Sequence, residues 1–297
     1  MQEKDITQKM LERHNDVFSD IVNVLLFGGK KVVEEETLFD AVTDSALKID
    51  GRVRFQDRDV AKYWKDSQIN IALLGIENQT TPNKLMPFRV ISYDGTEYGK
   101  QSRTENIDKK KYPVISLVLY LGFEQKWLYP KNLLGIIDVD EKLRPYVNDY
   151  KINLFEIAYL DREIIDSFKS DFWILADYLY QMRVNKNYVA DKKFIGHIEE
   201  LLMLMSAMTG DKRFEDIIDE ANTKEVVNMC EVLDIVEARG IEKGIEKGRE
   251  EGADLISRLN TILAKEGDLD KIIKANTDKK YRNELLKKYN LLRDYGK

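Results

Sequence analysis

Two carboxylates and one amide are spaced along the chain in a way that suits metal-dependent hydrolysis. Asp59 directly precedes an apolar segment, and Glu77 and Gln79 stand near the end of the next one. Side chains two residues apart on a strand share a face, so Glu77 and Gln79 would lie together. An acidic pair brought together by a turn can hold Mg²⁺ and leave coordination positions for water and a phosphate. We therefore predict that Asp59 and Glu77 are metal ligands and that Gln79 belongs to the same site.

The scarcity of cysteine and histidine narrows the chemistry further. The chain has one cysteine, Cys230, and two histidines, His14 and His197. These residues cannot supply a Cys/His zinc site, which favours a cation held mainly by oxygen, Mg²⁺ or Mn²⁺. A Ser/His/Asp or Cys/His hydrolase is disfavoured because that chemistry needs a histidine beside its nucleophile.

The residues of the candidate site require a hairpin to bring them together. Residues 60–64 and 69–78 are rich in β-branched, aromatic and aliphatic side chains, and the polar residues 65–68 between them fit a turn. The other elements follow from apolar periodicity and chain breakers. They are a helix from Met10 to Phe27 closed by Gly28 and Gly29, a short strand over 52–55, a helix over 84–101, buried strands over 114–121 and 152–160, and helices after Asp161.

The stretch from Ile76 to Tyr93 resembles the signature of the Rpn family of recombination-promoting nucleases, also called putative transposases. The matching positions are Glu77, Gln79, Thr80, Pro82, Met86, Phe88, Arg89 and Tyr93. Residues 112–122 are similar to the family's next strand, Asp16 to Phe18 to its opening segment, and the glycine-periodic helix after Gly240 is common in the family.

The resemblance implies a fold and a set of site residues. The fold would be an α/β, restriction-endonuclease-like PD-(D/E)XK core of helix, mixed sheet, helix and strands, followed by an α-helical region and a helical C-terminal tail. The nuclease carboxylates would be Asp59 and Glu77. Gln79 takes the place of the superfamily's lysine; glutamine can orient a water but cannot act as a cation or a base. Lys84 or Arg89 could supply a cation if one is needed near the attacking water; the alternative for either is an ordinary solvated or phosphate-contacting residue.

The chain departs from the family pattern near the first carboxylate and in the first helix. Arg58 stands where proline is usual, and Asp57 is a rival ligand on the same strand face as Asp59. We prefer Asp59 because the apolar strand begins directly after it. Asp16 and Asp20 share a helix face, where either is an alternative water-mediated metal contact or a helix-surface or capping carboxylate.

Charge is distributed unevenly along the chain. The net charge is −6, yet residues 271–297 contain nine Lys or Arg against three acidic residues. This basic tail predicts contacts with DNA phosphates; a solvated pair of terminal helices is the alternative. Glycines at 240, 244, 248 and 252 predict either a solvated linker helix or a close helix contact in a homo-oligomer.

Length and patterning predict three parts, namely a nuclease-like core over 1–165, a helical region over 166–239, and a glycine-periodic helix with a basic tail over 240–297. No apolar run suits a membrane span or a secretory signal, which predicts a cytoplasmic protein. The functional expectation is a Mg²⁺-dependent DNA endonuclease that promotes recombination and leaves a 3′-hydroxyl and a 5′-phosphate. The alternative is a non-catalytic helical interaction or DNA-binding protein on a decayed nuclease core.

Overall fold

The computed structural model describes residues 9–49, 52–67, 69–103 and 110–292; the side chains of residues 44–49, 52–57 and 69 lie outside that description. The chain divides into two compact units, Met1–Val232 and Leu233–Lys297. The boundaries predicted from the sequence at residues 165 and 239 stay predictions.

A five-stranded mixed sheet forms the centre of the first unit, in the order β1-β4-β5-β6-β7. The pairs β1/β4 and β4/β5 are antiparallel, whereas β5/β6 and β6/β7 are parallel. A separate hairpin pairs β2 with β3. The strands are β1 (Leu38–Asp40), β2 (Asp44–Ile49), β3 (Arg52–Asp57), β4 (Val60–Asp66), β5 (Ile69–Gln79), β6 (Val114–Tyr120) and β7 (Asn153–Glu156).

The predicted hairpin of β4 and β5 is confirmed. Its register pairs Val60 with Ile76, and the pairing shifts at a bulge between Trp64 and Lys65. β5 is central in the sheet, and its apolar residues from Ala72 to Ile76 are buried, as a strand covered on both faces requires. The hairpin therefore brings the start of β4 beside the end of β5.

The helices of the described residues follow the predicted α/β order, and the chain becomes helical after residue 161 as predicted. They are α1 (Asn15–Phe27), α2 (Met86–Ser102), α3 (Arg162–Ser167), α4 (Phe172–Asn185), α5 (Ile198–Thr209), α6 (Arg213–Asp216), α7 (Ile218–Thr223), α8 (Met229–Lys265), α9 (Leu269–Thr277) and α10 (Lys279–Lys288). Among these described helices, none has the length and apolar character to cross a membrane.

α2 connects the parallel strands β5 and β6, because parallel neighbours need a crossover rather than a tight turn. It packs on the sheet through one apolar cluster. The buried members of that cluster are Met86, Val90, Val118, Tyr120, Trp127 and Ile152. The crossover places the beginning of α2 next to the end of β5, where the candidate site lies.

Two elements differ from the sequence predictions. The first helix is interrupted at His14, whose extended backbone ends one helical turn (residues 9–12) before α1 begins. The run from 152 to 160 is a strand only over Asn153–Glu156, and a 3-10 turn over Ile157–Tyr159 follows. Ile157 and Ala158 are fully buried in that turn, because an apolar run indicates burial and does not by itself distinguish a strand from a turn.

The second unit has its own small core. α8 begins shortly before this unit, and the predicted helical character of residues 240–252 is confirmed. α9 and α10 pack against the end of α8 through Leu259, Leu263, Ala275, Leu285 and Leu286. Asp268 and Asp278 accept backbone N–H groups at the starts of α9 and α10, which fixes both helix termini.

Candidate active site

The antiparallel register brings Asp59 and Glu77 together where β4 begins and β5 ends. Asp59 immediately precedes β4, and Glu77 lies near the end of β5, beyond the Val60–Ile76 pair. The Asp59 Oδ2 accepts the backbone N–H of Asn78 at 2.7 Å. This hydrogen bond fixes the Asp59 carboxylate beside the residue that follows Glu77.

Glu77 is a buried carboxylate near the end of β5. Its side chain is 3% exposed, and its Oε2 atom is buried with no hydrogen-bond donor among the described residues. Burial, and then the neighbouring charge of Asp59, raise the pKa of Glu77 to about 8. A buried carboxyl oxygen without a donor is costly, which makes it a position that could bind a proton or a cation.

Each of the two carboxylates already contacts a basic side chain. The Lys9 Nζ lies 2.9 Å from the Asp59 Oδ1, and Arg89 on the first turn of α2 forms an ion pair with the Glu77 Oε1. Arg89 also donates to the hydroxyl of Tyr93 at 3.1 Å, one helical turn later. The site therefore attracts positive charge, and Arg89, one of the two candidate cations, contacts Glu77 directly.

Gln79 shares the face of Glu77, as strand alternation predicted. Its Nε2 donates to the Glu77 Oε1 at 3.3 Å and to the backbone carbonyl of Asn78 at 2.6 Å. The amide is thus held next to the carboxylate by its own strand. A side chain in this position can orient a polar ligand by hydrogen bonding and carries no charge.

Glu12 is a further buried carboxyl group that the sequence analysis missed. It is 1% exposed, and its Oε2 accepts the Asn78 Nδ2 at 2.7 Å. Burial raises the pKa of Glu12 to about 8, and the charge of Asp59 adds to the rise. Nothing in the local sequence distinguishes Glu12 from the many exposed acids of the chain, because its contact is with a strand 66 residues away.

The raised pKa of Glu12 predicts a pH-dependent stability. Between the ordinary value of 4.5 and about 8, the folded protein keeps the proton on Glu12 whereas the unfolded chain releases it. The stabilisation is therefore present below 4.5 and is lost as the pH rises toward 8. We expect Glu12→Gln to weaken this loss, by at most on the order of 1 kcal/mol per pH unit.

Urea denaturation of both proteins in EDTA across this pH range measures the effect. Glu163→Gln, at an exposed glutamate on α3, is the matched control and should keep the wild-type pH profile. Identical profiles for the wild-type protein and Glu12→Gln would show that Glu12 ionises normally in the fold.

A buried ion pair anchors the residue before Asp59. The Arg58 NH2 donates to the Asp94 Oδ1 on α2, and Asp94 also accepts from the hydroxyls of Ser116, at 2.7 Å, and Tyr150. Arg58 and Asp94 are 7% and 3% exposed. A Cβ at Gly75 would lie 3.0 Å from the Arg58 guanidinium, so glycine leaves room for it. Arg58 thus links the chain just before β4 to α2 and, through Asp94, to β6.

The remaining candidate residues lie away from Asp59 and Glu77, or their side chains lie outside the described residues. Asp57 ends β3, where its backbone pairs with Asp44, and its side chain is not described. Lys84 is exposed before α2. Asp20 accepts the backbone N–H groups of Lys169 and Ser170 and the Ser170 hydroxyl, which ties α1 to the turn between α3 and α4.

Asp16 is brought to the two histidines rather than to Asp59 and Glu77. Its carboxylate contacts the His197 Nε2 at 3.0 and 3.1 Å, and the rings of His14 and His197 stack. From the sequence, the two histidines and the single cysteine were judged too few to form a Cys/His zinc site. The proximity of the histidines is visible only in the folded structure.

The fold is that of an α/β protein with a mixed sheet. Its candidate site contains two interacting carboxylates, one of them deeply buried, where one central strand begins and the next one ends. A family model described as "Putative transposase, YhgA-like" matches residues 53–212, more than half of the chain. The chain therefore belongs to this family, which confirms the family resemblance inferred from the sequence. No curated protein and no solved structure matches the chain.

Proposed function

We propose that this protein is a metal-dependent DNA endonuclease and that its mixed sheet is a PD-(D/E)XK core. One observation carries the proposal, namely the buried Oε2 of Glu77, which has no donor among the described residues and lies beside Asp59 and Gln79. Membership in a transposase-like family supports a role in DNA cleavage or rearrangement. Fold and family alone would be compatible with other functions, so the proposal rests on the site.

The donor set fits a hard divalent cation. Asp59 and Glu77 offer carboxylate oxygens, which Mg²⁺ and Mn²⁺ prefer. The charges of Lys9 and Arg89 lower the pKa of Glu77, whereas burial and Asp59 raise it. Positive charge beside Glu77 therefore favours the ionised form of its carboxyl group. We assign Asp59 and Glu77 as the residues that would hold Mg²⁺ or Mn²⁺.

A bound divalent cation would lower the pKa of a water molecule and offset charge on phosphate oxygens. The remaining tasks belong to the side chains of this protein. Gln79 would orient the attacking water by hydrogen bonding, since its amide is held beside Glu77. Lys9 and Arg89 contact these carboxylates and have side chains 29% and 36% exposed, so a phosphodiester at the site would meet the positive charge of both. Arg58 and Asp94 would hold the start of β4 in place.

The test is a plasmid-nicking assay with the purified full-length protein. We expect conversion of supercoiled to relaxed plasmid with Mg²⁺ or Mn²⁺ and none in EDTA. The Asp59→Asn/Glu77→Gln double variant, purified in parallel, controls for contaminating nucleases. Equal nicking by both proteins would remove these carboxylates from the mechanism. No nicking by the wild-type protein, over a range of salt and metal conditions, would favour the non-catalytic DNA-binding alternative.

The basic tail gives a separate prediction about DNA binding. Removing residues 271–297 would expose Leu259 and Leu263, which pack against α9 and α10, so substitution is the cleaner experiment. We expect the charge-removing variant to bind DNA more weakly regardless of sequence. Its slope of log K against log salt should be shallower by about 0.9 for each phosphate that the variant no longer neutralises. The substituted residues are five exposed lysines, Lys274, Lys279, Lys280, Lys287 and Lys288, each changed to Gln.

A charge-matched control replaces five exposed lysines outside the tail. It should leave the salt slope unchanged, as measured by fluorescence anisotropy with labelled duplex DNA. A tail variant with the wild-type slope would show that the tail does not touch DNA. The control positions are Lys30, Lys142, Lys169, Lys192 and Lys212, each changed to Gln.

A further inference from the structure

The two histidines of the chain lie together in the fold, each beside a carboxylate. The His197 Nε2 contacts both Asp16 carboxylate oxygens at 3.0 and 3.1 Å, and the His14 Nε2 contacts the Glu200 Oε1 at 3.0 Å. The two imidazole centroids are 3.7 Å apart. His14 and Asp16 flank the start of α1, whereas His197 and Glu200 lie at the start of α5, so the cluster joins segments 181 to 186 residues apart.

The donor atoms of this cluster are close enough to converge on one ion. One potential ligand atom from each of His14, Asp16 and His197 lies within 4.8 Å of the others. Among the described residues, this is the one group of three such side chains that meets this distance. Two imidazoles and a carboxylate suit Zn²⁺ and related first-row metals better than Mg²⁺, which prefers oxygen alone.

Coordination requires a modest change in the rings. The imidazole planes are inclined by 19° and stacked, whereas a metal bound by both must lie near the plane of each ring. The rings must therefore turn apart about χ2, which is a soft torsion in histidine. Both side chains are partly exposed, at 34% for His14 and 22% for His197, so the movement does not disturb the apolar core.

We propose that His14, Asp16 and His197 form a second metal site, for a transition-metal ion of the Zn²⁺ class. Three protein ligands leave a coordination position for water. The bound ion joins the beginning of α1 to the beginning of α5 and stabilises the folded protein, because the unfolded chain does not hold these ligands together. The site is separate from Asp59 and Glu77, and its existence does not depend on nuclease activity.

The small number of histidines makes the proposal directly testable. Because the chain has two histidines, the untagged protein gives two sets of imidazole signals in a long-range nitrogen–proton NMR spectrum. We expect both signals to shift together on addition of one equivalent of Zn²⁺, and the unfolding temperature to rise. His197→Gln should abolish the Zn²⁺-induced shift of the remaining His14 signal and weaken Zn²⁺ binding by more than about a hundredfold. A competing chromophoric chelator measures that affinity.

Two control variants separate this site from other causes. Glu199→Gln, at an exposed acid next to Glu200, should bind Zn²⁺ as the wild-type protein does. The Asp59→Asn/Glu77→Gln variant should also bind Zn²⁺ normally, which keeps this proposal distinct from the proposed nuclease site. The proposal would be overturned if Zn²⁺ left both sets of imidazole signals unchanged, or if it bound His197→Gln with wild-type affinity. The cluster would then be no more than two histidine–carboxylate hydrogen bonds.

Discussion

Glu77→Gln is expected to reduce metal-dependent DNA cleavage by at least about a hundredfold, the loss typical when one preorganised electrostatic contact is removed. The substitution preserves size but removes the negative charge that would hold the cation. It should not unfold the protein, because burial raises the pKa of Glu77 to about 8 and the fold therefore already accommodates a neutral group here. Plasmid nicking in Mg²⁺, together with thermal denaturation, measures both effects.

The neighbouring residues make this prediction specific. Asp59→Asn should be as inactive as Glu77→Gln, whereas Gln79→Ala should retain part of the activity because the carboxylates that hold the cation remain. Glu163→Gln, at an exposed position on α3, is the charge-matched control and should cleave normally. If Asp57→Ala is inactive and Asp59→Ala is active, Asp57 rather than Asp59 is the ligand.

Asp94→Leu is expected to destabilise the protein by about 3 to 5 kcal/mol, the typical effect of removing one partner from a buried ion pair. The substitution leaves the Arg58 guanidinium, 7% exposed, without its carboxylate. It also removes the acceptor of the Ser116 and Tyr150 hydroxyls. Urea denaturation monitored by circular dichroism in EDTA gives the change in the free energy of unfolding.

A double variant distinguishes an unpaired charge from a simple packing defect. Arg58→Met combined with Asp94→Leu should recover part of the lost stability, because both buried charges are then absent. Asp138→Ala, at an exposed aspartate, should change stability by no more than about 0.5 kcal/mol. A loss below about 1 kcal/mol for Asp94→Leu would contradict the role assigned to this ion pair.

The arrangement of β4, β5, α2 and β6 was accessible from the sequence because local patterns specify it. Apolar runs separated by four polar residues define the hairpin, and alternation correctly placed Gln79 beside Glu77. Family resemblance then supplied a role for residues that local patterns leave ambiguous. The assignment of Asp59 and Glu77 as ligands stays a prediction until cleavage is measured.

The parts of the site that the sequence did not reveal depend on long-range contacts. Glu12 reaches Asn78 across 66 residues, and Asp94 meets Arg58 across 36. A charged residue that is buried by a distant partner has the same local sequence context as an exposed one. The pairing of Asp16 with His197 has the same origin. Helix periodicity also missed the break at His14, because the apolar spacing continues on both sides of it.

The glycines of α8 affect how readily this helix opens locally. All side chains from residue 241 to 250 are exposed, and a Cβ added at Gly244 or Gly248 would meet no described atom within 4 Å apart from the neighbouring backbone of its own helix. Each interior glycine costs roughly 1 kcal/mol of helix stability relative to alanine. Local opening of this stretch breaks the helix's own hydrogen bonds and exposed contacts such as the Lys247–Glu251 ion pair. Exchange of its amide hydrogens with solvent is therefore expected to occur through local opening of this helix.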